Sequence, residues 1–126
     1  MKQSNNYTIV IIWASSKKES FWNKVLLNLI DRWYKVIPIN PKYPIIEWLK
    51  TYKDLKSIKN DYQIICFIVN DKISIKILEN NLDLIKDKFL WFQPWSYCDE
   101  IWDLLKRANH KDFENKSCIM YKKIEF

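Results

Sequence analysis

Glycine is missing altogether from the 126 residues, although usage of about 7% would supply roughly nine. Glycine serves left-handed backbone, helix C-terminal caps and close approach of backbone to a ligand. The chain as written therefore excludes a glycine-rich phosphate loop such as GxGxxG. Arginine is nearly absent too, with 19 lysines and 2 arginines making up the 21 basic residues. Three cysteines, Cys66, Cys98 and Cys118, stand without CxxC spacing or a histidine cluster. That argues against a disulfide framework or a zinc site and favours a reducing cytoplasm. Apolar runs are short, residues 64–69 being among the longest, far below the roughly 20 residues that cross a bilayer. Neither a signal peptide nor a membrane span is read from the sequence.

Tryptophan is abundant instead, with seven residues, and five of them stand where an α/β nucleotide-binding fold asks for bare backbone. Trp13 follows an apolar run and precedes Ala14-Ser15-Ser16. Trp22 opens a helical pattern, and Trp33 follows Asp31-Arg32 at its end. Trp48 lies in a turn-like stretch after Pro44, and Trp95 follows Pro94. Three readings compete: a UGA codon meaning Gly written as Trp, a deliberate substitution, or an unusual surface. The excess of Lys over Arg and the abundance of Ile, Asn and Tyr fit an AT-rich genome and favour the first.

One domain over residues 1–126 is expected, since a chain of this length buries about two thirds of its unfolded surface in a single core. Short apolar runs alternate with longer amphipathic ones, the pattern of an α/β protein. Residues 8–12 form a continuous β-branched run, as in a parallel strand buried on both faces. Residues 22–32 carry Val25, Leu26, Leu29 and Ile30 at helical spacing. Residues 35–39 make a second strand, with Pro38 marking a strand end or an unpaired N–H. A short helical turn over 51–58, a strand over 63–69, a helix over 74–86, a strand over 89–93, a helix over 97–108 and a last strand over 117–121 complete the order. The architecture expected is three-layered, about five parallel strands with helices on both faces.

Ligands of such sheets bind outside the carboxyl ends of the strands. Here those ends are residues 13–20, 40–43, 69–72 and 93–96. The first leads to a helix N-terminus, whose free N–H groups and dipole attract phosphate. The hydroxyls of Ser15 and Ser16 and the ammonium of Lys17 or Lys18 can supplement them. With Gly at 13 and 22 this is a phosphate-binding loop; with Trp it is plugged; an ordinary serine-capped loop is the plain alternative. Strand two ends in Asn40-Pro41-Lys42, without the acid that holds a ribose 2′-hydroxyl. This disfavours NAD, while a lysine suits the extra phosphate of NADP or coenzyme A. A solvated turn lysine is the competing reading of Lys42. The net charge of +6 is spread over the whole length, as on a solvated surface rather than a nucleic-acid footprint.

The ordered set Trp13-Ala14-Ser15, Phe21-Trp22-Asn23, Trp33-Tyr34, Pro38-Ile39-Asn40-Pro41-Lys42, Leu90-Trp91-Phe92-Gln93-Pro94-Trp95 and Cys118-Ile119-Met120 resembles the small stand-alone CoA-binding proteins. Their Rossmann-like domain is related to the CoA-binding part of succinyl-CoA synthetases. The resemblance runs from Tyr7 to Tyr121, puts residues 13, 22, 33, 48 and 95 on family glycines, and leaves Trp91 a genuine tryptophan; Trp102 matches no glycine. It implies a fold of that kind binding CoA or acyl-CoA. The contacts would come from Trp13, Ala14, Ser15, Ser16, Lys18, Phe21 and Trp22 around the diphosphate. Asn40, Pro41 and Lys42 would lie by the adenosine and its 3′-phosphate, with Val69 and Asn70 at the third strand's end bordering the adenine and Gln93 and Pro94 along the remaining rim. Where the family often has proline after its third strand, this chain has Asn70.

Catalysis finds little support. His110, the one histidine, reads as a surface residue of a polar turn without a partner for general-base work. Asp99 and Glu100 read as dipole-stabilising acids in a first helical turn, and no metal set is apparent. Cys98, in that same turn, is a conceivable reactive thiol, whereas Cys66 and Cys118 read as small core residues on strands. A CoA-binding protein is thus the leading expectation. An NADP- or nucleotide-dependent enzyme and a basic nucleic-acid or protein interaction module are the alternatives from other classes. On the recoding reading, peptides of the native protein spanning residues 13, 22, 33, 48 and 95 have the mass of glycine at those positions. Mass spectrometry that finds tryptophan at all five refutes it.

Overall fold

The computed structural model describes residues 7–12 and 19–125. Its elements in chain order are β1 (Thr8–Ile12), α1 (Glu19–Asp31), β2 (Lys35–Ile39), β3 (Ile45–Ile46), β4 (Leu49–Lys50), β5 (Ile64–Phe67), α2 (Asp71–Asn80), α3 (Leu82–Ile85), β6 (Phe89–Phe92), α4 (Asp99–Arg107) and β7 (Phe113–Glu114). The main sheet has the order β2-β1-β5-β6-β7, and every pairing within it is parallel. From β1 the chain steps to β2 on one side, then over to β5 and outward through β6 to β7 on the other. Right-handed crossovers therefore place α1 on one face and α2 and α4 on the opposite face, in agreement with the packing of α2 on α4.

The sequence of β1 and β5 explains their central place. Ile9, Val10 and Ile11, and Ile64, Ile65, Cys66 and Phe67, are wholly buried, as consecutive apolar residues must be when both faces are covered. Leu26 and Leu29 of α1 close one side. Phe67 stacks on Phe92 with ring centroids 4.6 Å apart. Truncating one of these aliphatic side chains to alanine costs about 2–5 kcal/mol. Pro38 lies on the edge strand β2. Its carbonyl accepts from Tyr52 N on the outer side, and residue 38's missing N–H faces outward with it, so no bond to β1 is lost.

Four expectations are corrected. Residues 117–121 are not a strand: β7 is Phe113–Glu114, and Ile119–Tyr121 is a single 3-10 turn. Side chains satisfy this segment's backbone in place of a ladder. Gln93 Oε1 accepts from Ile119 N at 2.9 Å, and Trp91 Nε1 donates to Ser117 O at 2.9 Å. The Arg32 guanidinium donates to the carbonyls of Ile119, Met120 and Lys122. Cys118 accordingly lies half-buried on a loop rather than in a strand. The helix expected over 74–86 starts earlier, because Asn70 caps it, and breaks at Asn81, whose φ of −135° and ψ of 29° lie outside the helix. The turn over 51–58 narrows to Leu55–Ser57, capped by Asp54. The Ser57 hydroxyl holds the Asp54 carboxyl below its ordinary range. Before that turn comes the antiparallel hairpin β3–β4, which the sequence reading leaves as an irregular turn.

The tryptophans divide by environment. Trp91 is buried on β6. Trp33 has φ of 73° and is 84% exposed; its N–H closes α1 onto Ile30 O, a C-terminal cap conformation that glycine adopts without strain. Trp48 is exposed at the β3–β4 turn beside Glu47, whose φ is 57°. Trp22 departs from the expectation of an exposed or cleft-filling side chain: it sits in the first turn of α1 with its indole in the core, 1% exposed. Trp13 lies outside the described residues. A side chain with a Cβ pays roughly 1–2 kcal/mol in left-handed backbone. Trp33→Gly is thus expected to raise the melting temperature by roughly 3–10 °C, and Trp33→Ala, which keeps the Cβ, to give none of that gain. A calorimetric scan showing Trp33→Gly less stable than the parent refutes this account.

Candidate functional site

The crevice of an open parallel sheet lies where strand order reverses, here between the carboxyl ends of β1 and β5. Around it stand the start of α1, the Asn40 turn after β2, residues 68–70 after β5, and the Pro94–Ser96 turn after β6. The candidates Trp13, Ala14, Ser15, Ser16 and Lys18, together with Lys17, lie outside the described residues. Phe21 and Trp22 begin α1 on the far side of that segment.

After β2, Asn40 is 3% exposed. Its backbone N–H donates to Tyr52 O at 2.8 Å, and its Oδ1 accepts from Lys42 N at 2.8 Å. This Asx turn is a local side-chain to backbone closure. It turns Pro41 and Lys42 outward, both exposed, and the Lys42 ammonium has no partner among the described residues. After β5, Val69 is buried and Asn70 is exposed. Asn70 Oδ1 accepts from Ile73 N at 2.9 Å and its carbonyl accepts from Ser74 N at 3.0 Å. The departure from the familiar proline is thus a helix cap, and Asp71 in the first turn already offsets the helix dipole.

After β6, Gln93 is fully buried. Its Nε2 donates to Cys118 Sγ at 3.0 Å while its Oε1 holds Ile119 N, so the amide named from sequence as a ligand contact is spent inside the protein. Pro94 is exposed at the rim. Trp95, 46% exposed, lies across the crevice: Nε1 donates to Ile68 O at 3.2 Å, and the ring meets Phe21 edge-on with centroids 5.0 Å apart. A half-exposed indole thereby bridges the ends of β5 and β6 to the start of α1.

Two polar atoms on the elements that border the crevice are buried and unmet among the described residues, Asn23 Oδ1 on α1 and Ser96 Oγ in the turn after β6. Asn23 follows Trp22 on α1, and its Nδ2 donates to Glu47 Oε2 at 2.8 Å, tying the helix start to the β3–β4 hairpin. Ser96 is wholly buried and adjoins Trp95. Such atoms cost about 1–3 kcal/mol each when left unpaired and call for a partner. The sequence reading quotes Asn23 only as part of a motif and omits Ser96. Nothing in the spacing singles them out, since Asn23 follows the core residue Trp22 and Ser96 follows the half-exposed Trp95.

The thiols stand apart from this crevice chemistry. Burial, with Cys118 nearby, pushes the Cys66 thiol up, which makes it an inert core residue. Cys98 is half-buried at the cap of α4. His110 is a further correction: it is 8% exposed rather than on the surface. Among the described residues no group of three or more His, Cys, Asp or Glu could hold a metal ion, and no helix is long and apolar enough to cross a membrane.

Comparison with known proteins agrees with this geometry. A conserved hypothetical protein from Pyrococcus furiosus shares 30% identity with a TM-score of 0.80, covering 90% of this chain and 97% of that one. A hypothetical protein from Pyrococcus horikoshii OT3 shares 27% identity with a TM-score of 0.78, over 91% of this chain and 80% of that one. An acetate–CoA ligase (ADP-forming) of Methanocaldococcus jannaschii is 32% identical over 72 residues, which are 57% of this chain and 10% of the ligase. The chain thus matches only a small part of that much longer enzyme. Residues 7–123 match the family described as CoA binding domain, and with its five-stranded parallel, Rossmann-like sheet the chain belongs to that CoA-binding domain family.

Proposed function

We propose that the protein binds coenzyme A or an acyl-CoA across the carboxyl ends of β1, β2, β5 and β6, and that its native form carries glycine at the rim positions written as tryptophan. Family membership over residues 7–123 supports the ligand class. The observation that carries the site is the pair of buried atoms Asn23 Oδ1, at the start of α1, and Ser96 Oγ, in the turn after β6, both unmet among the described residues. The outward-turned Lys42 suits the 3′-phosphate as a charge partner. The segment 13–18, with Ala14, Ser15, Ser16 and Lys18, is assigned to the diphosphate together with Phe21 and position 22. Asn40 and Pro41 shape the adenosine side. Val69, Asn70 and Pro94 border the rest, with Gln93 contributing backbone only. Bound CoA supplies a thiol for carrying acyl groups; the residues of this chain bind and orient it. Three free cysteines suit a reducing cytoplasm as the place of action.

The written tryptophans bear on affinity. Trp95 occupies the crevice that a diphosphate needs, and Trp33 and Trp48 hold exposed indoles at turns, where glycine serves without cost. The chain as written is expected to bind CoA weakly or not at all. The variant with Trp13→Gly and Trp95→Gly is expected to bind it and to gain about 2.7 kcal/mol of stability at a hundredfold excess over Kd. Lys42→Ala in that variant is expected to weaken CoA more than dephospho-CoA. Calorimetry that detects no CoA binding by the glycine variant removes the assignment, preference for NADP over CoA replaces it, and equal losses with both CoA forms remove only the role of Lys42.

A further inference from the structure

The Trp95 indole marks a place in the crevice whose chemistry can be read from what holds it. Trp95 stands in the turn Pro94–Ser96 after β6, and its ring reaches two groups on other elements. Nε1 donates to Ile68 O at 3.2 Å, and the ring meets that of Phe21 with centroids 5.0 Å apart and planes at 73°. Ile68 follows β5 and is 3% exposed; its own N–H is spent on Ile12 O, and among the described residues Trp95 Nε1 is the donor to its carbonyl. Phe21 is half-buried at the start of α1 and packs against the core.

These contacts define what else can occupy the place. A backbone carbonyl accepts and does not donate, so an occupant must bring an N–H or O–H at its edge. The edge-on aromatic contact favours a flat π-system over an alkyl chain. The indole is 46% exposed, so the place is open to the rim and is entered without unfolding. With glycine at position 95 the volume of the fused ring is free, and Ile68 O loses the donor it has here; buried acceptors are rarely left unpaired. Among the parts of CoA, the diphosphate offers acceptors only, and pantetheine has amide N–H groups but no ring. The adenine base combines a flat fused ring, close to indole in size, with an N–H at its edge, the exocyclic amino group.

We propose that the place filled by the Trp95 indole is the seat of the ligand's adenine base, with the exocyclic amino group donating to Ile68 O as Trp95 Nε1 does here and the ring meeting the edge of Phe21. This seat rests on the reading of the crevice as a CoA site with glycine at position 95, and it assigns the atom that selects the base. Ile68 O rewards an amino group and repels the oxo group that hypoxanthine and guanine carry at the same position. Because the selecting atom belongs to the backbone, no side-chain replacement at residue 68 removes it, and the ligand is varied instead.

Calorimetry on the variant with Trp13→Gly and Trp95→Gly tests the seat, with the 3′,5′-bisphosphates of adenosine and inosine and with phosphopantetheine as probes. The adenosine compound is expected to bind at least tenfold more tightly than the inosine compound. It is also expected to bind at least tenfold more tightly to this variant than to Trp13→Gly alone, in which the indole still fills the seat. Phe21→Leu in the glycine variant is expected to weaken the adenosine compound severalfold and to leave phosphopantetheine unchanged. Trp13→Gly with Trp95→Ala supplies the same comparisons should the double glycine variant fail to fold. Equal binding of the adenosine and inosine compounds, or equal binding with and without the Trp95 indole, overturns the seat while CoA binding itself stands. Absence of CoA binding removes the CoA reading; an adenosine compound that then still outbinds its inosine counterpart keeps the seat as a purine site, and no binding of either overturns it.

Discussion

Covering of the sheet on both faces is the constraint on which the rest of this structure depends. With Ile9 through Ile11 and Ile64 through Phe67 wholly buried, neither surface of β1 or β5 can be left to water. Each strand must be followed by an element that crosses back over the sheet. Parallel pairing and right-handed crossovers then collect the loops after β1, β2, β5 and β6 at one end. The crevice there is a consequence of burial before it is anything chemical. The same constraint governs the C-terminal segment, which reaches the protein after the sheet is complete. Lacking a ladder, its backbone is held by Gln93, Trp91 and Arg32. That is why a glutamine at a strand end is drawn inward from the ligand rim.

Tryptophan does three different things in this chain. Trp91 and Trp22 fill core volume, where a large apolar ring contributes most. Trp33 and Trp48 lie on turns with their rings in solvent, gaining little burial, and Trp33 pays for left-handed backbone besides. Trp95 is intermediate: a hydrogen bond to Ile68 O and an edge contact with Phe21 anchor it across the crevice. The uneven return on these side chains is what a displaced glycine produces at 33, 48 and 95. The core position of Trp22 is the exception, since a glycine there would leave the volume of an indole open at the start of α1.

Unmet buried atoms mark the two ends of the sheet differently. At the carboxyl end Asn23 Oδ1 and Ser96 Oγ lie on elements that border the crevice after β1 and β5. At the amino end His110 Nε2 is buried and unmet among the described residues, in a cavity wall that also holds Trp102, Lys106 and Lys111. In both places a polar group is desolvated without compensation from the described residues, a condition that native interiors rarely tolerate.

The fold was largely legible in the sequence, because continuous β-branched runs such as residues 8–12 and stripes such as Val25, Leu26 and Leu29 carry their burial in their spacing. The carboxyl-end crevice proposed as the site is expected from the general rule for parallel sheets, and the resemblance to the CoA-binding proteins implies Asn40 to Lys42 as part of its rim. What spacing could not express was the destination of individual polar groups. Asn70 reads as a rim residue and, still exposed there, also caps a helix; the side chain of Gln93 reads as a contact and clamps the C-terminal segment; His110 reads as a surface turn and is buried. Each of these outcomes was decided by a partner 3 to 26 residues away along the chain or by packing against α4. A one-dimensional pattern records which side of an element faces the core, but hydrogen-bond satisfaction across the fold is settled only when the elements meet.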